Sequence, residues 1–332
     1  MSIWPLPRVT FRQLSTFRET RPTALLTQPA TWANIRSQIE LPIEIQAEPA
    51  RLDRAYLEGL GNALPTQIGV IYGIGNDTVI EAAKMIGYVA KRPVVIVPTT
   101  FCSDAAFSWT TSIKGADGME TLTTGAAEEV IVNWSILADA NPYERGVGIT
   151  EIISSVTAIA DWRLAQNKNA TTPETRLVTW AMQTAAVLSM QAMTIAPQVG
   201  QGTAEALRSL LDLFCLSEQL DSVLGHRRAS RGAEHIFADV VNADEHVMYA
   251  EKVAAGILFA AALHDQDVGK LRDALSKAGV RLNQLSHSAI RTAANKLPDY
   301  VQQHKLPYTI LNEAEPDAIR KALDTSTLLQ DA

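Results

Sequence analysis

The sequence predicts an α/β domain built on a parallel, doubly wound sheet, followed by an all-helical domain. Short apolar runs typical of buried strands alternate with helical segments up to about residue 142. From Gly148 onward helical patterns dominate, and strand patterns nearly vanish. Within the first part, a glycine-containing turn joins an apolar run directly to a helix. We therefore predict domains at residues 1–142 and 143–332, with a ligand in the cleft outside the carboxyl ends of the strands.

Residues 66–84, TQIGVIYGIGNDTVIEAAK, contain the strongest local pattern. The β-branched apolar run 68–72 is followed at once by Gly73 and Gly75, and helical spacing of apolar residues begins at Thr78. Glycines let a backbone approach an anion, and a helix N-terminus offers free N–H groups and a positive dipole end. The pattern is typical of nucleotide binding. A GxG alone, however, also fits an ordinary turn between a strand and a helix.

The other predicted elements follow the same alternation. In the first domain the predicted strands are residues 22–27, 41–46, 68–72, 94–97 and 129–133. The predicted helices there are residues 31–39, 51–63 and 78–91, and the polar residues 101–125 predict hairpins or loops. In the second domain the predicted helices are residues 148–165, 173–197, 201–222, 230–242, 245–263, 267–276, 283–295 and 316–323, with one short β-like piece at 308–311.

The composition is that of a globular protein with room for two cores. The chain has 332 residues, of which 47% are hydrophobic and 20% charged. Its net charge of −7 argues against a general affinity for nucleic acid or anionic membranes. Cys102 and Cys215 lie far apart, so we expect no disulfide scaffold and a reduced, cytoplasmic protein.

No targeting or membrane segment is expected. The start, MSIWPLPRVTF, lacks the charged and apolar regions of a signal peptide. The helix at 177–198 contains Thr179, Gln183 and Ser189, so we interpret it as a buried core helix rather than a membrane span. We expect a small-molecule ligand and neither a nucleic-acid nor a membrane partner. Apolar helices of the second domain would allow a homo-oligomer, but no feature specifies one.

The loop after the strand 94–97 is rich in hydroxyl groups. In PTTFCSD, residues 98–104, Thr99 and Ser103 could donate to phosphate or ribose oxygens of a cofactor, as could Ser108 a little further on. Asp104 could accept a hydrogen bond from a substrate hydroxyl. The alternative is a Thr- and Ser-rich loop that caps a helix.

Two further polar groups lie in the second domain. Glu151 and Asp161 are ten residues apart on one predicted helix, so they face nearly the same way, although Glu151 also fits a first-turn acid stabilised by the helix dipole. The segment 226–235, HRRASRGAEH, combines arginines that suit phosphate or carboxylate with a potential metal ligand, His235. A lone histidine is more often structural or exposed. Asp239 lies one helical turn further on and adds polarity.

Several motifs in this order resemble one known superfamily. GIGNDTVIEAAK is similar to its glycine-rich GGGxxxDxAK, VPTTFCSDAAFS to its VPTxxSxDxxxS, RASRGAEH to its RPxSGSEH and EKVAAG to its HGExVxxG, with ADW at 160–162. Over roughly residues 20–312 the chain resembles the dehydroquinate synthase-like superfamily with its group III, iron-containing-type alcohol dehydrogenases, most closely the sn-glycerol-1-phosphate dehydrogenase branch. The resemblance implies a Rossmann-like parallel-sheet domain plus an all-α domain.

The resemblance also implies a bound dinucleotide, NAD or NADP. The positions that match the family's pyrophosphate and other cofactor contacts are Gly73, Gly75, Asn76, Thr78, Thr99, Cys102 and Ser108. Asp104 matches the position that holds a substrate hydroxyl. Arg228 and Asp239 are further predicted substrate contacts.

In the family an acid and two histidines bind a divalent metal, which would be zinc, nickel or iron, and the metal polarises the alcohol for hydride transfer. Glu151 matches the acid, His235 the first histidine and Tyr249 the second. Tyrosine is a poor ligand near neutral pH because its pKa is about 10. The sequence therefore predicts a remodelled, weakened metal site. His246 or, more favourably, Asp239 could complete it.

These observations predict an NAD(P)-dependent oxidoreductase that transfers hydride on a small polyol or polyol phosphate. The predicted catalytic residues are Asp104, Glu151 and His235. One alternative is a non-catalytic relative that binds a nucleotide or sugar phosphate, and Tyr249 is the residue that separates the two. A 3-dehydroquinate synthase-like lyase is the other alternative, but it needs more metal histidines and lysines than the chain offers.

Overall fold

The structure is a computed structural model that describes residues 3–115, 119–244 and 246–330. Two predicted segments fall partly outside these ranges, the loop 101–125 at residues 116–118 and the helix 245–263 at its first residue. Contacts divide the chain into a unit over Trp4–Arg145 and a second unit that begins at Gly146. The first is α/β and the second helical, which confirms the predicted fold class. The assignment of dinucleotide to 1–142 and of metal and substrate to 143–332 stays a prediction.

In the first unit, six of the described strands form one parallel sheet in the order β1-β8-β5-β4-β2-β3, and two form an antiparallel pair. The strands are β1 (Arg8–Phe11), β2 (Thr23–Thr27), β3 (Ile43–Ala47), β4 (Val70–Gly75), β5 (Val94–Pro98), β6 (Thr110–Lys114), β7 (Met119–Thr123) and β8 (Glu129–Val132). The helices of this unit are α1 (Pro29–Ile35), α2 (Arg54–Asn62), α3 (Asp77–Ala90), α4 (Trp134–Asp139) and α5 (Pro142–Arg145).

The strand β4 lies in the interior of this sheet, between β5 and β2. Every residue of β4 is buried, as expected for a parallel strand covered on both faces. The chain order along the sheet reverses beside β4, and ligands of doubly wound sheets bind at such a reversal. Gly75 pairs in register with Pro98, so the turn after β4 and the loop after β5 leave the sheet side by side.

The sequence reading missed the first strand. β1 has only four residues, its side chains are exposed or half-buried, and it pairs with β8 at the edge of the sheet. A short edge strand has neither the length nor the apolar run that predicts a strand. The predicted helix 31–39 is also displaced, because it begins at Pro29, a residue favoured in the first turn, and ends at Ile35.

The helices of the second unit are α6 (Ile149–Ile153), α7 (Ser155–Asn167), α8 (Thr179–Gln201), α9 (Ala204–Leu224), α10 (Ala233–Val240), α11 (Tyr249–Leu263), α12 (Val268–Lys277), α13 (His287–Gln303) and α14 (Pro316–Thr325). None of the described helices combines the length and apolarity that crossing a bilayer requires. The helix α8, predicted as a core helix, is buried on one side and exposes Trp180, Val187 and Met190.

Two predictions for the second unit are wrong in detail. The single helix predicted at 148–165 is interrupted at Ser154, whose hydroxyl contacts the carbonyl oxygens of Glu151 and Ser230. The β-like piece at 308–311 is a short 3-10 helix over Ile310–Glu313, because the Thr309 side chain accepts a hydrogen bond from the backbone of Leu311 and caps a turn.

The helix α11 is buried along most of its length, and it packs closely against α10. Its residues from Val253 to Ala262 are all buried. A Cβ atom at Gly256 would collide with the backbone carbonyl group of Glu234 in α10. Glycine at this position therefore allows the two helices to approach each other at the level of the site described below.

Candidate functional site

The glycine turn joins β4 to α3 at the predicted pyrophosphate position. A Cβ atom at Gly73 would lie 2.8 Å from Cβ of Ala83, and one at Gly75 would lie 2.8 Å from Cγ2 of Val79. Both glycines thus allow α3 to pack closely on β4. A large substituent at Gly75 would disturb this packing, so a test of nucleotide binding needs another position.

Asn76 is the residue of this turn that is available to a ligand. It precedes α3 with extended backbone angles, φ −81° and ψ −175°, but its side chain makes no capping hydrogen bond. Its Oδ1 atom is buried and has no hydrogen-bond partner. A buried unpaired amide oxygen is costly, and a bound polar ligand would relieve that cost. Together with the N-terminus of α3, this amide fits a dinucleotide.

The loop after β5 lies against the same turn. The backbone N–H of Thr99 donates to the carbonyl of Gly75 at 3.0 Å. Two residues predicted to contact cofactor have partners within their own unit: Cys102 donates to the Thr100 hydroxyl at 3.3 Å, and the Ser108 hydroxyl lies 3.0 Å from that of Thr110. Their contacts with cofactor stay predictions.

Asp104 belongs to the loop after β5, and Thr78 belongs to α3. Asp104 is 7% exposed, and its carbonyl accepts from the backbone N–H groups of Phe107 and Ser108 in a tight turn. Nearby, the ammonium group of Lys84 is buried and donates to the carbonyl of Ala105 at 2.9 Å, which fixes the loop. Thr78 is half-buried in the first turn of α3. The predicted roles of Asp104 and Thr78 remain predictions.

In the helical unit, His235 lies between two carboxylates. Its Nε2 atom is 3.1 Å from Oε2 of Glu151, and its Nδ1 atom is 2.9 Å from Oε1 of Glu234. All three side chains are buried. Glu234 is itself fixed, because Oε2 accepts from the Thr157 hydroxyl at 2.7 Å and Oε1 from the backbone N–H of Gly232 at 2.5 Å.

The two carboxylates set the protonation of His235. Burial by itself would lower the pKa of the imidazole, but the charge of Glu151 and hydrogen bonds to Glu151 and Glu234 outweigh burial and raise the pKa to about 9. A neutral imidazole could donate to only one of the two carboxylates, whereas an imidazolium donates to both. The arrangement therefore favours a positively charged His235 at neutral pH.

Tyr249 lies beside this group but faces another partner. It begins α11, and its ring centroid is 6.4 Å from that of His235. Its hydroxyl donates to Oδ1 of Asp239 at 2.9 Å. His246, the other residue predicted to complete a metal site, is exposed in the segment before α11. The structure thus brings together Glu151 and His235, with Tyr249 and Asp239 as a separate hydrogen-bonded pair nearby.

The two arginines Arg231 and Arg228 make different contacts in this unit. Arg231 lies 4.0 Å from Oε2 of Glu151, measured from its terminal nitrogen. Arg228 is buried and donates to the backbone carbonyls of Tyr308 at 2.7 Å and Asp161 at 3.4 Å. These contacts anchor Arg228 within the helical unit, and its contact with substrate stays a prediction.

Asp161 connects the site to two other segments. It is fully buried, and its carboxylate accepts from the backbone N–H of Ala233 at 2.7 Å, at the start of α10. The same carboxylate accepts from the N–H of Ile310 at 2.6 Å and lies 2.9 Å from Nε2 of His264. Asp161 therefore holds the start of the helix that presents His235.

The donors present do not fit a tightly held catalytic metal. Catalytic zinc sites typically use three protein ligands. Glu151 and His235 face each other, but across the described ranges no group of three or more His, Cys, Asp or Glu side chains is arranged to hold a metal ion. The Tyr249 hydroxyl is turned to Asp239, and Nδ1 of His235 to Glu234.

Comparison with solved structures defines the class of fold. The chain is similar to a probable glycerol dehydrogenase from Sinorhizobium meliloti, with a TM-score of 0.70, 16% identity and 98% of each chain covered. An iron-containing alcohol dehydrogenase from Corynebacterium glutamicum gives a TM-score of 0.64 at 14% identity, over 97% of this chain and 95% of that one. The chain has the dehydroquinate synthase-like fold of these dehydrogenases.

The sequence relatives are more specific. The chain is 28% identical over 226 residues to a glycerol-1-phosphate dehydrogenase [NAD(P)+] of Aeropyrum pernix, which is 67% of this chain and 62% of that protein. It is 26% identical over 298 residues to that of Methanothrix thermoacetophila, covering 87% and 80%. The predicted resemblance is confirmed. The chain spans less than two thirds of the Aeropyrum pernix protein, and no protein-family model matches it.

Proposed function

We propose that this chain is an NAD(P)-dependent dehydrogenase that acts on a small polyol phosphate through a remodelled metal site. The observation that supports this most is the unpaired amide of Asn76 at a glycine turn. That turn lies in a doubly wound sheet, in a chain similar over 87% of its length to a protein named as a glycerol-1-phosphate dehydrogenase. A small-molecule substrate follows from the same similarity.

The first unit would hold the dinucleotide. A nicotinamide dinucleotide supplies the acceptor for hydride when it is bound. The pyrophosphate would lie against the turn from Gly73 to Thr78 and accept from the N–H groups at the N-terminus of α3, and a ribose hydroxyl would donate to the unpaired amide oxygen of Asn76. Thr99, Cys102 and Ser108 would add hydroxyl and thiol groups along the neighbouring loop. Asp104 would accept a hydrogen bond from a substrate hydroxyl.

The helical unit would supply positively charged side chains that are held in fixed positions. Glu151 and Glu234 flank His235 and raise its pKa to about 9, so His235 would present a fixed cationic group at neutral pH. Arg231, 4.0 Å from Glu151, adds a second positive charge that suits a phosphate. No step is assigned to a metal, because the residues that the structure describes do not form a three-ligand set.

Replacing Asn76 with aspartate tests the dinucleotide site. The new carboxylate would repel a pyrophosphate and lower dinucleotide affinity roughly tenfold or more. The fold should keep or slightly gain stability, because an acid at a helix N-terminus is favourable. Calorimetry with NAD and NADP measures the affinity, and thermal unfolding measures the stability.

Asn295→Asp is the matched control, because it makes the same change on an exposed position of α13. Equal dinucleotide affinities of the parent and the Asn76→Asp variant would contradict the proposed position of the dinucleotide site. A parent that binds NAD or NADP but reduces neither with glycerol 1-phosphate would favour the alternative of a non-catalytic nucleotide-binding relative. The hydrogen bond from Tyr249 to Asp239 is the observation that keeps this alternative open.

A further inference from the structure

A cavity of about 650 Å³ lies within the helical unit, where α12 ends and α13 begins. Its volume is in the range of small-molecule pockets. Its polar lining comes from Arg272, Ser276, Arg281, Asn283, His287, Thr327 and Gln330. No acidic side chain belongs to the lining, as far as the described residues extend. The described lining therefore carries basic and neutral groups, although the chain as a whole has a net charge of −7.

Arg272 has unused hydrogen-bonding capacity in this cavity. Its NH2 group donates to the backbone carbonyl of Ser326 at 2.5 Å, but its Nε atom is buried and has no acceptor. Burial lowers the pKa of this guanidinium, and within residues 3–115, 119–244 and 246–330 no carboxylate contributes to its pKa. A buried donor of a charged group costs free energy when it has no acceptor, so a ligand that supplies an acceptor would be stabilised here.

The other arginine of the cavity is already neutralised. Arg281 forms a forked ion pair with Glu251, at 2.5 Å from Nε and 3.2 Å from NH2. Glu251 also accepts from the backbone N–H of Met248 at 2.9 Å, at the start of α11. Among the described lining residues, Arg272 is therefore the arginine without a carboxylate partner, and α13 begins at the cavity wall with His287.

We propose that this cavity binds a small phosphorylated molecule, with its phosphate on the guanidinium of Arg272. A phosphate accepts parallel hydrogen bonds from an arginine fork, and a turn of the Arg272 guanidinium toward the cavity would let the phosphate pair the buried Nε–H that now has no acceptor. Ser276 and Asn283 would add neutral polar contacts, and the N-terminus of α13 favours an anion. The glycine turn belongs to the other unit, so this is a second anion site that does not depend on the proposed dehydrogenase function.

Calorimetry of the full chain with inorganic phosphate and with citrate tests this site. Phosphate should bind the parent more tightly than citrate, and Arg272→Gln should lower phosphate affinity by about tenfold or more, since a charged hydrogen bond is lost. Arg272→Lys, which keeps the charge without the fork, should lose affinity to a smaller degree. Thermal unfolding of each variant confirms that it is folded.

Two controls separate this site from other positive charges and from the dinucleotide site. Arg320→Gln removes the same charge from an exposed position of α14, outside the cavity, and should bind phosphate like the parent. Asn76→Asp should weaken dinucleotide binding and leave this phosphate binding unchanged. Phosphate affinity that is the same in parent, Arg272→Gln and Arg272→Lys would overturn the proposal, as would a parent that prefers citrate or binds neither anion.

Discussion

At the scale of single residues, His235 lies between carboxylates from two parts of the chain. Glu234 precedes it in α10, and Glu151 comes from α6. Because both ring nitrogens face oxygens, the folded state holds a proton that an exposed histidine would release near its ordinary pKa of 6.5. The neighbouring Tyr249 does not contact these carboxylates through its hydroxyl, which donates to Asp239 instead.

The raised pKa of His235 predicts a pH dependence of stability. The folded pKa is about 9 and the ordinary value 6.5, so the stabilising proton is fully bound below about pH 6.5 and is lost as the pH rises through 9. We expect the free energy of unfolding of the metal-free chain to fall over this interval. Denaturant unfolding at a series of pH values measures it.

The control compares how the free energy of unfolding depends on pH in two histidine variants. His235→Gln should flatten the fall between pH 6.5 and 9, whereas His246→Gln, at an exposed position, should keep it. A parent and a His235→Gln variant with parallel pH profiles would show that the two carboxylates do not hold a proton on His235.

Tyr249→His tests the remodelled metal site. The sequence resemblance puts a metal-binding histidine at this position, and histidine would add the third donor that catalytic zinc sites use. We expect the purified parent to contain little metal and to have low activity that rises with added divalent metal. The variant should approach about one equivalent of metal and gain activity on glycerol phosphates. Elemental analysis and a dehydrogenase assay measure both quantities.

Tyr249→Phe is the control for this experiment, because it removes the hydroxyl from Asp239 without adding a donor. It should resemble the parent in metal content. A parent that purifies with a full equivalent of zinc or nickel would overturn the prediction that the site is weakened.

Among the helices, the close packing of α11 against α10 fixes the position of Glu234 beside His235. Gly256 faces the backbone carbonyl of Glu234, and any Cβ atom there would collide with it. The backbone of Glu234 is thus fixed by α11, and its side chain by Thr157 from α7. The sequence did not lead to a role for Glu234 or for Thr157. An acid beside a histidine at a helix start was the available signal.

Gly256→Ala should therefore destabilise the protein. The added methyl group meets backbone, which cannot rotate away, and overpacking of this kind costs about 1–3 kcal/mol. The change should also move Glu234 and so alter the titration of His235. Denaturant unfolding measures the first effect, and NMR titration of the imidazole measures the second.

Gly269→Ala in α12 is the matched control. A Cβ atom there would meet only the Asp267 carboxylate at 3.5 Å, an ordinary contact, so helix propensity should make the change neutral or slightly stabilising. Equal stability of the Gly256→Ala and Gly269→Ala variants would contradict the close approach of α11 to α10.

For the whole molecule, the fold class could be predicted from the sequence. The run from residue 68 to Thr78 has strand, turn and helix signals in direct succession, and the structure has β4, the turn and α3 there. Such signals depend on periodicity and turn chemistry among residues close together in the chain, which a sequence displays. The resemblance added the pair Glu151 and His235, and the structure brings these side chains together.

The contacts of these residues, in contrast, depend on how the folded chain packs. The edge strand β1 forms against β8, more than a hundred residues later, and its four residues alone do not specify a strand. Glu151 meets His235 across 84 positions, and Tyr249 turns to Asp239 across ten. The protonation of His235 and the unpaired donor of Arg272 follow from burial and from partners brought by folding. Local pattern does not encode these, because each depends on segments that approach only when the chain is packed.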